Sequence, residues 1–424
     1  MSAPSARPSY AAVLRIPHAR RTFAIALTGR LAYGIVSLSV MLTVTRATGS
    51  YALAGTVMAL FGALTVVLSP ARAALVDRHG PRRALVPLAL LFAGLLGTLA
   101  AVAWRPGAPP LLVAALAVAA GAFPPPLGPT MRSVWSELAP DKQLLQRAYS
   151  LDGVAEELLF VSGPLLVGAV VQVAPPAAGV ALSALLVAAG TIAFVGSPPV
   201  RSVQPAGAKA KSAKAARRGG ARALAGPVLV AAGVGLALGG IDLLVLAFAG
   251  ERHQGDDTVA WVLAALSAGS AVGGLLNGAV HWRIGARVRL SLTAVGLGLA
   301  TALAGLAPGL GTLMAAVACA GFFVAPALTT AYLVADEAAG DGLRTQAGAW
   351  VNTAVNAGTS GGAAAMGLLV GRAPLALCFA ASGAVALVVA AGAAWDARRA
   401  PVPRRAQPSE PAAAVYEEMA TPTR

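Results

Sequence analysis

Twelve apolar runs, most of them about 20 residues or longer and set between short polar, Gly- or Pro-containing turns, dominate the chain. A helix needs about 20 apolar residues to cross a bilayer, and in hydrocarbon its backbone must satisfy its own hydrogen bonds. The pattern therefore predicts an all-α transmembrane protein. The expected spans are 22–45, 51–75, 84–104, 109–131, 148–173, 177–195, 226–249, 258–281, 288–307, 310–334, 346–370 and 374–395. Six precede a Pro/Ala/Lys/Arg-rich segment at 197–224 and six follow it.

Charge placement orients the spans. The chain is 57% hydrophobic and 12% charged, against about 25% charged in soluble domains. Its net charge of +15 raises the question of nucleic acid, but the distribution answers it. With the N-terminus inside, the outer loops hold only Arg46, Arg105, Arg252 and Arg372, and Arg30 lies within the first span. All other Lys and Arg fall on the inner side, as the positive-inside rule requires. This predicts a multi-pass protein of the cell membrane, with both termini cytoplasmic, the lipid bilayer as partner and no nucleic-acid partner. The expected divisions are a cytoplasmic segment 1–21, a bundle 22–196, a basic linker 197–225, a bundle 226–396 and a disordered tail 397–424. The first apolar run is longer than a signal-peptide core and lacks an A-x-A-like cleavage site, so it reads as an uncleaved span. Cys319 and Cys378 lie inside apolar runs, and His18, His79, His253 and His281 are scattered. Neither disulfides, a metal site nor a cofactor is expected.

Between the second and third spans runs Ala73-Ala74-Leu75-Val76-Asp77-Arg78-His79-Gly80-Pro81-Arg82-Arg83. A weaker copy, Gly278-Ala279-Val280-His281-Trp282-Arg283-Ile284-Gly285-Ala286-Arg287, falls at the same place in the second half. Like turns in two hydrophobic halves indicate internal repeats. The order G-x-x-x-[DE]-[RK]-x-G-x-[RK]-[RK] resembles the loop signature of the major facilitator superfamily. The first copy departs at Ala73; the second has Trp282 where the acid belongs. The resemblance, over about residues 20–396, implies twelve spanning helices in two six-helix bundles around a cavity, with access alternating by rocking. It also implies a conformational latch: Asp77 as its acid, Gly80 at the turn, Arg78, Arg82 and Arg83 alongside, and Arg132 as partner. Arg283, Gly285 and Arg287 would form the counterpart. Ser162-Gly163-Pro164-Leu165-Leu166-Val167-Gly168 resembles the superfamily's G-P-x-x-G-G exporter signature, departing at Val167.

Ionisable groups at mid-span cost about 2.5–3.5 kcal/mol on insertion scales and mark function. Arg30 lies eight residues into the first span, and Glu156, with Glu157 beside it, eight into the fifth. These positions share a depth of about 12 Å. Arg30 is expected to pair with Glu156 or Glu157, leaving the other carboxylate as proton carrier; a purely structural pair is the competing reading. Asp242, in the outer half of the seventh span with no adjacent cation, is a further proton-coupling candidate; a helix-end acid at the outer surface is its competing reading. Pro124, Pro125, Pro126 and Pro129 must bend or break the fourth span. Asn352 and Asn356 share one face of the eleventh and are pathway candidates together with Arg30, or else bond between helices.

No phosphate-cradling G-x-x-x-x-G-K-[ST] loop occurs. Gly358-Thr359-Ser360-Gly361-Gly362 matches G-x-S-x-G, but inside an apolar run with no histidine after it, so helix packing is expected there rather than hydrolysis. The chain is thus expected to be no enzyme but a secondary transporter: a monomer exporting a small organic or drug-like molecule against protons. Proton-symport import of a nutrient and a non-transporting receptor or scaffold are the alternatives.

Overall fold

The computed structural model describes residues 9–105, 107–203, 213–253, 256–339 and 343–399. A short α1 (Tyr10–Arg15) leads into α2 (Ala19–Thr48), the first span. The second span is α3 (Tyr51–Val67) followed by α4 (Ser69–His79), and the third is α5 (Pro81–Val102). The fourth is broken into α6 (Pro110–Ala120) and α7 (Leu127–Leu138), with Pro124, Pro125 and Pro126 between them. Helices α8 (Lys142–Val173) and α9 (Ala177–Gly196) complete the first half, and α10 (Pro198–Ser202) follows. The second half comprises α11 (Ala213–Glu251), α12 (Asp256–Ala279), α13 (Ala286–Ala304), α14 (Leu310–Ala339), α15 (Arg344–Leu369) and α16 (Leu375–Arg399).

Local chemistry sets the ends. Ser50 caps α3 by accepting from Leu53 N at 3.2 Å, and Asp141 caps α8 by accepting from Gln143 N and Leu144 N, both at 2.8 Å. Gly80 closes α4 at φ 83°, a backbone conformation costly for any residue with a Cβ. Among the described residues ten helical segments are long and apolar enough to cross a bilayer. The two spans outside that set are α6/α7, interrupted by proline, and α15, which carries Asn352, Thr353 and Asn356. Both line the central cavity.

The two halves repeat one pattern of pairing. In the first, α2 packs on α8 and α9, and α5 on α9; in the second, α11 packs on α15 and α16, and α13 on α16. Between halves, α8 meets α12 and α14, while α15 meets α4 and α7. Small residues let backbones approach where side chains would block them. A Cβ on Gly163 would strike the Gly34 backbone, joining α8 to α2. Gly235 and Gly239 of α11 interleave in the same way with Gly358 and Gly362 of α15. The G-x-S-x-G match is therefore part of a helix seam. Gly278 faces Tyr10 of α1 and Ser150 of α8 across the halves, and Gly274 lies between Ala325 of α14 and Val154 of α8, whereas Gly269 and Gly273 pack against α14 within their own half.

The basic linker is shorter than the sequence indicates. Residues 198–202 are helical, and α11 begins at Ala213 rather than near 226. Ala, Lys and Arg are strong helix formers, so this stretch extends the seventh span. Residues 204–212, the tail from 400 onward and the first eight residues lie outside the described residues.

Candidate functional site

A cavity of about 560 Å³ lies between the halves. On its wall is a buried charge cluster assembled from α2, α7 and α8. Asp152 and Glu156 stand one turn apart on α8 and so share a face. Arg30 Nη1 lies 2.6 Å from Asp152 Oδ1, and Arg30 Nη2 lies 3.1 Å from Glu156 Oε2. Arg132 Nε lies 3.0 Å from the other Asp152 oxygen, and its Nη2 also reaches Glu156. Asp152 is fully buried and both guanidiniums nearly so. Two cations face two carboxylates, the pairing that a low-dielectric setting demands. The Arg132 guanidinium also stacks 3.9 Å over the Tyr332 ring of α14, tying the cluster to the second half.

Glu157 points elsewhere. It accepts a hydrogen bond from Ser270 Oγ of α12, across the seam between halves. Its Oε2 is buried without a hydrogen-bond partner. Asn352 and Asn356 line the cavity from α15, and Asn356 Nδ2 donates to Asn352 O at 2.8 Å. Asp242 is exposed on α11, one turn beyond the cavity-lining Leu238 and outside the lining itself.

The broken fourth span frees backbone carbonyls, and cavity residues take them up. Tyr33 Oη donates to Pro125 O at 2.5 Å and Thr65 Oγ1 to Gly121 O at 3.1 Å. Arg72 donates to Ala122 O at 3.0 Å and Thr65 O at 2.6 Å. Irregular backbone at membrane depth is tolerated in such a setting, where it packs on protein and lines a cavity.

Polar contacts close the halves at the Gly80 end. Asp77 accepts from Gln346 N at 2.8 Å and Thr345 N at 3.2 Å. These are free N–H groups in the first turn of α15, whose own N-cap, Leu343, supplies no side-chain acceptor. Asp77 thus caps a helix of the opposite half and meets the positive end of its dipole. No ion pair among the described residues joins Asp77 to Arg78, Arg82, Arg83 or Arg132. Arg132 was expected there, but its neighbours are the buried carboxylates. Arg78, Arg82 and Arg83 are exposed.

The second turn is built differently. Gly285 is extended at φ −63° rather than left-handed, and Arg283 and Arg287 are exposed. The contacts come from residues around them. Trp282 Nε1 donates to Asn277 O at 3.1 Å, and its ring lies 5.4 Å from the Arg289 guanidinium. Arg289 in turn donates to Gln146 Oε1 of α8 at 2.6 Å, and Gln146 donates to Asn277 O. A Trp stands where the acid is expected, and this end is held instead by a buried Arg289–Gln146 contact. Lys142 and Glu337 add an ion pair at 2.6 Å between α8 and α14.

Sequence reasoning missed Asp152, Arg72 and Arg289. Arg72 and Arg289 were counted with the loop cations, yet both are buried, as are Arg132 and Arg147. Asp152 sits close enough to the start of the fifth span to pass for a surface acid; its i, i+4 spacing to Glu156 was the available signal.

The comparisons match this architecture. The Major Facilitator Superfamily profile matches residues 22–253 and 228–420. No curated protein matches the chain. Among solved structures, the human organic anion transporter MFSD10 (TETRAN) is similar at TM-score 0.65 and 16% identity, covering 91% of this chain and 100% of that one. A bacterial homologue of the iron transporter ferroportin, in an outward-facing state, is similar at TM-score 0.69 and 14% identity, covering 89% and 99%. The E. coli fucose:proton symporter FucP is similar at TM-score 0.62 and 16% identity, covering 88% and 98%. Two repeated helical halves, a cavity between them with a buried charge cluster on its wall, and family matches over both halves lead to one conclusion: the chain belongs to the Major Facilitator Superfamily and is a multi-pass secondary transporter.

Proposed function

We propose that this transporter couples the movement of a small organic molecule to protons by alternating access, with Glu157 as the proton carrier. One observation carries the reading. Asp152 and Glu156 are neutralised by Arg30 and Arg132, whereas Glu157 has no cation among the described ion pairs and bonds across the seam to Ser270. A carboxylate whose only described bond crosses two moving halves can make its protonation and their separation depend on each other.

Export is the proposed direction, supported by the exporter-like run Ser162–Gly168. If both termini are cytoplasmic, the Gly80 end faces inward, and the Asp77 contacts there would close the cavity to that side. Symport is the second reading, favoured by the separation of Arg72 from any acid: protonating Glu157 leaves the cavity net positive, which suits loading a solute together with the proton. The three structural neighbours are named for an organic anion, iron and fucose with protons, so the shared fold does not choose a cargo.

The test is efflux of a panel of organic dyes from pump-deficient cells expressing the chain, with and without a protonophore. Export against protons predicts efflux that the protonophore abolishes. Efflux that survives the protonophore contradicts proton coupling, and protonophore-sensitive uptake without efflux replaces export by symport.

A further inference from the structure

Arg72 is a buried cation whose charge nothing described in the molecule balances. It is 5% exposed and lines the cavity from α4. Arg30 and Arg132 each meet two carboxylate groups, but none of the described ion pairs includes Arg72. A guanidinium carries five N–H donors. Two Arg72 bonds are accounted for, to Ala122 O just past α6 and to Thr65 O in the last turn of α3, and they stabilise the carbonyl ends of both helices. Its Nε is buried without a partner. A lysine could serve the two carbonyls as a point charge; the planar fork adds directed donors. Leaving a charge buried and uncompensated is costly, and a ligand in the cavity that Arg72 lines can bring a counter-charge to it.

We propose that Arg72 is the anion-binding subsite of the cavity and that the transported molecule is an organic anion, its carboxylate or equivalent group seated on the free donors of Arg72. The apolar part of the wall beside it, with Met58, Phe61 and Phe92, would take an aromatic or aliphatic body. Ser69, one turn from Arg72 on the same helix face, and Asn352 and Asn356 from the opposite half supply further polar groups. An anion held between α4 and α15 would touch both halves, so its binding would respond to their separation. The proposal rests on reading this cavity as the transport site, but not on proton coupling or direction.

The experiment is ligand binding to the purified full chain in detergent, read by titration calorimetry and thermal melting. The probes are three molecules of matched shape: 2-naphthoate, neutral 2-naphthamide and cationic 2-naphthylmethylammonium. Naphthoate should bind at least about tenfold more tightly than either, the scale of one charge-assisted contact. Arg72→Gln should erase that preference and Arg72→Lys keep part of it, while Arg20→Gln, at an exposed cation outside the cavity, leaves it intact. Because Arg72→Gln also frees two carbonyls and can impair folding, the charge comparison on the wild-type chain stands as a test by itself. Equal binding of the three probes, preference for the cation, no binding by any, or an undiminished preference in a folded Arg72→Gln protein would each overturn the proposal. Naphthoate preference together with unchanged gradient-driven transport by Glu157→Gln would overturn the Glu157 assignment alone.

Discussion

Asp77 and Gln346 lie 269 residues apart in sequence, yet the Asp77 carboxylate accepts the Gln346 backbone N–H at 2.8 Å and the neighbouring Thr345 N–H at 3.2 Å. One acid therefore caps a helix in the opposite half of the molecule. Rocking the halves apart at this end must uncap α15 and leave two N–H groups to find water.

Asp77→Ala should weaken the closed state at the Gly80 end by about 1–2 kcal/mol, the usual worth of an N-cap, or roughly tenfold in population. Spin labels on Arg83→Cys and Arg287→Cys, in a background without Cys319 and Cys378, would report it. A longer distance population should grow in Asp77→Ala. An unchanged distribution would mean that the cap does not hold the halves.

Asp152 holds two buried guanidiniums, so Asp152→Asn should be strongly destabilising, by about 3–5 kcal/mol as for other broken buried pairs. The double change Arg30→Met with Asp152→Leu keeps the Arg132–Glu156 pair and should melt well above Asp152→Asn. That non-additivity is the signature of a shared charge network. Equal melting of the two variants would argue against one.

The exporter-like run offers an internal control. Gly163→Val forces a side chain against the Gly34 backbone, whereas Gly168 faces open space. Thermal melting should show a loss of about 1–3 kcal/mol for the first, as for overpacked cores. The second should stay within about 0.5 kcal/mol, as for surface changes. Equal losses would show that α2 and α8 do not pack through this pair.

Asp242 is exposed outside the cavity lining, so Asp242→Asn should leave gradient-driven transport near wild type. Loss of transport at normal expression would return the proton site to α11.

The architecture was legible because hydrocarbon allows so few solutions: apolar length counted the spans, and Pro124–Pro126 marked the broken one. The halves' like turns pointed to the repeat, although Gly80 and Gly285 do not adopt the same backbone. The site was only half legible. Arg30 and Glu156 could be matched by depth, since both lie in the middle of apolar runs. Arg72, Arg132 and Arg289 lie near helix ends, where a cation turned inward and one in a loop give the same sequence signal. Ser270 reads as one small residue among many, and only packing puts it against Glu157.

The most direct test of proton coupling is transport by Glu157→Gln in proteoliposomes, using a compound that the wild type moves. With an imposed pH gradient, wild type should accumulate or expel the compound, and Glu157→Gln should not. Both proteins should still exchange labelled for unlabelled compound at equal pH, because exchange requires no net proton movement. Gradient-driven transport by Glu157→Gln at the wild-type rate would contradict the account and remove Glu157 as the proton carrier.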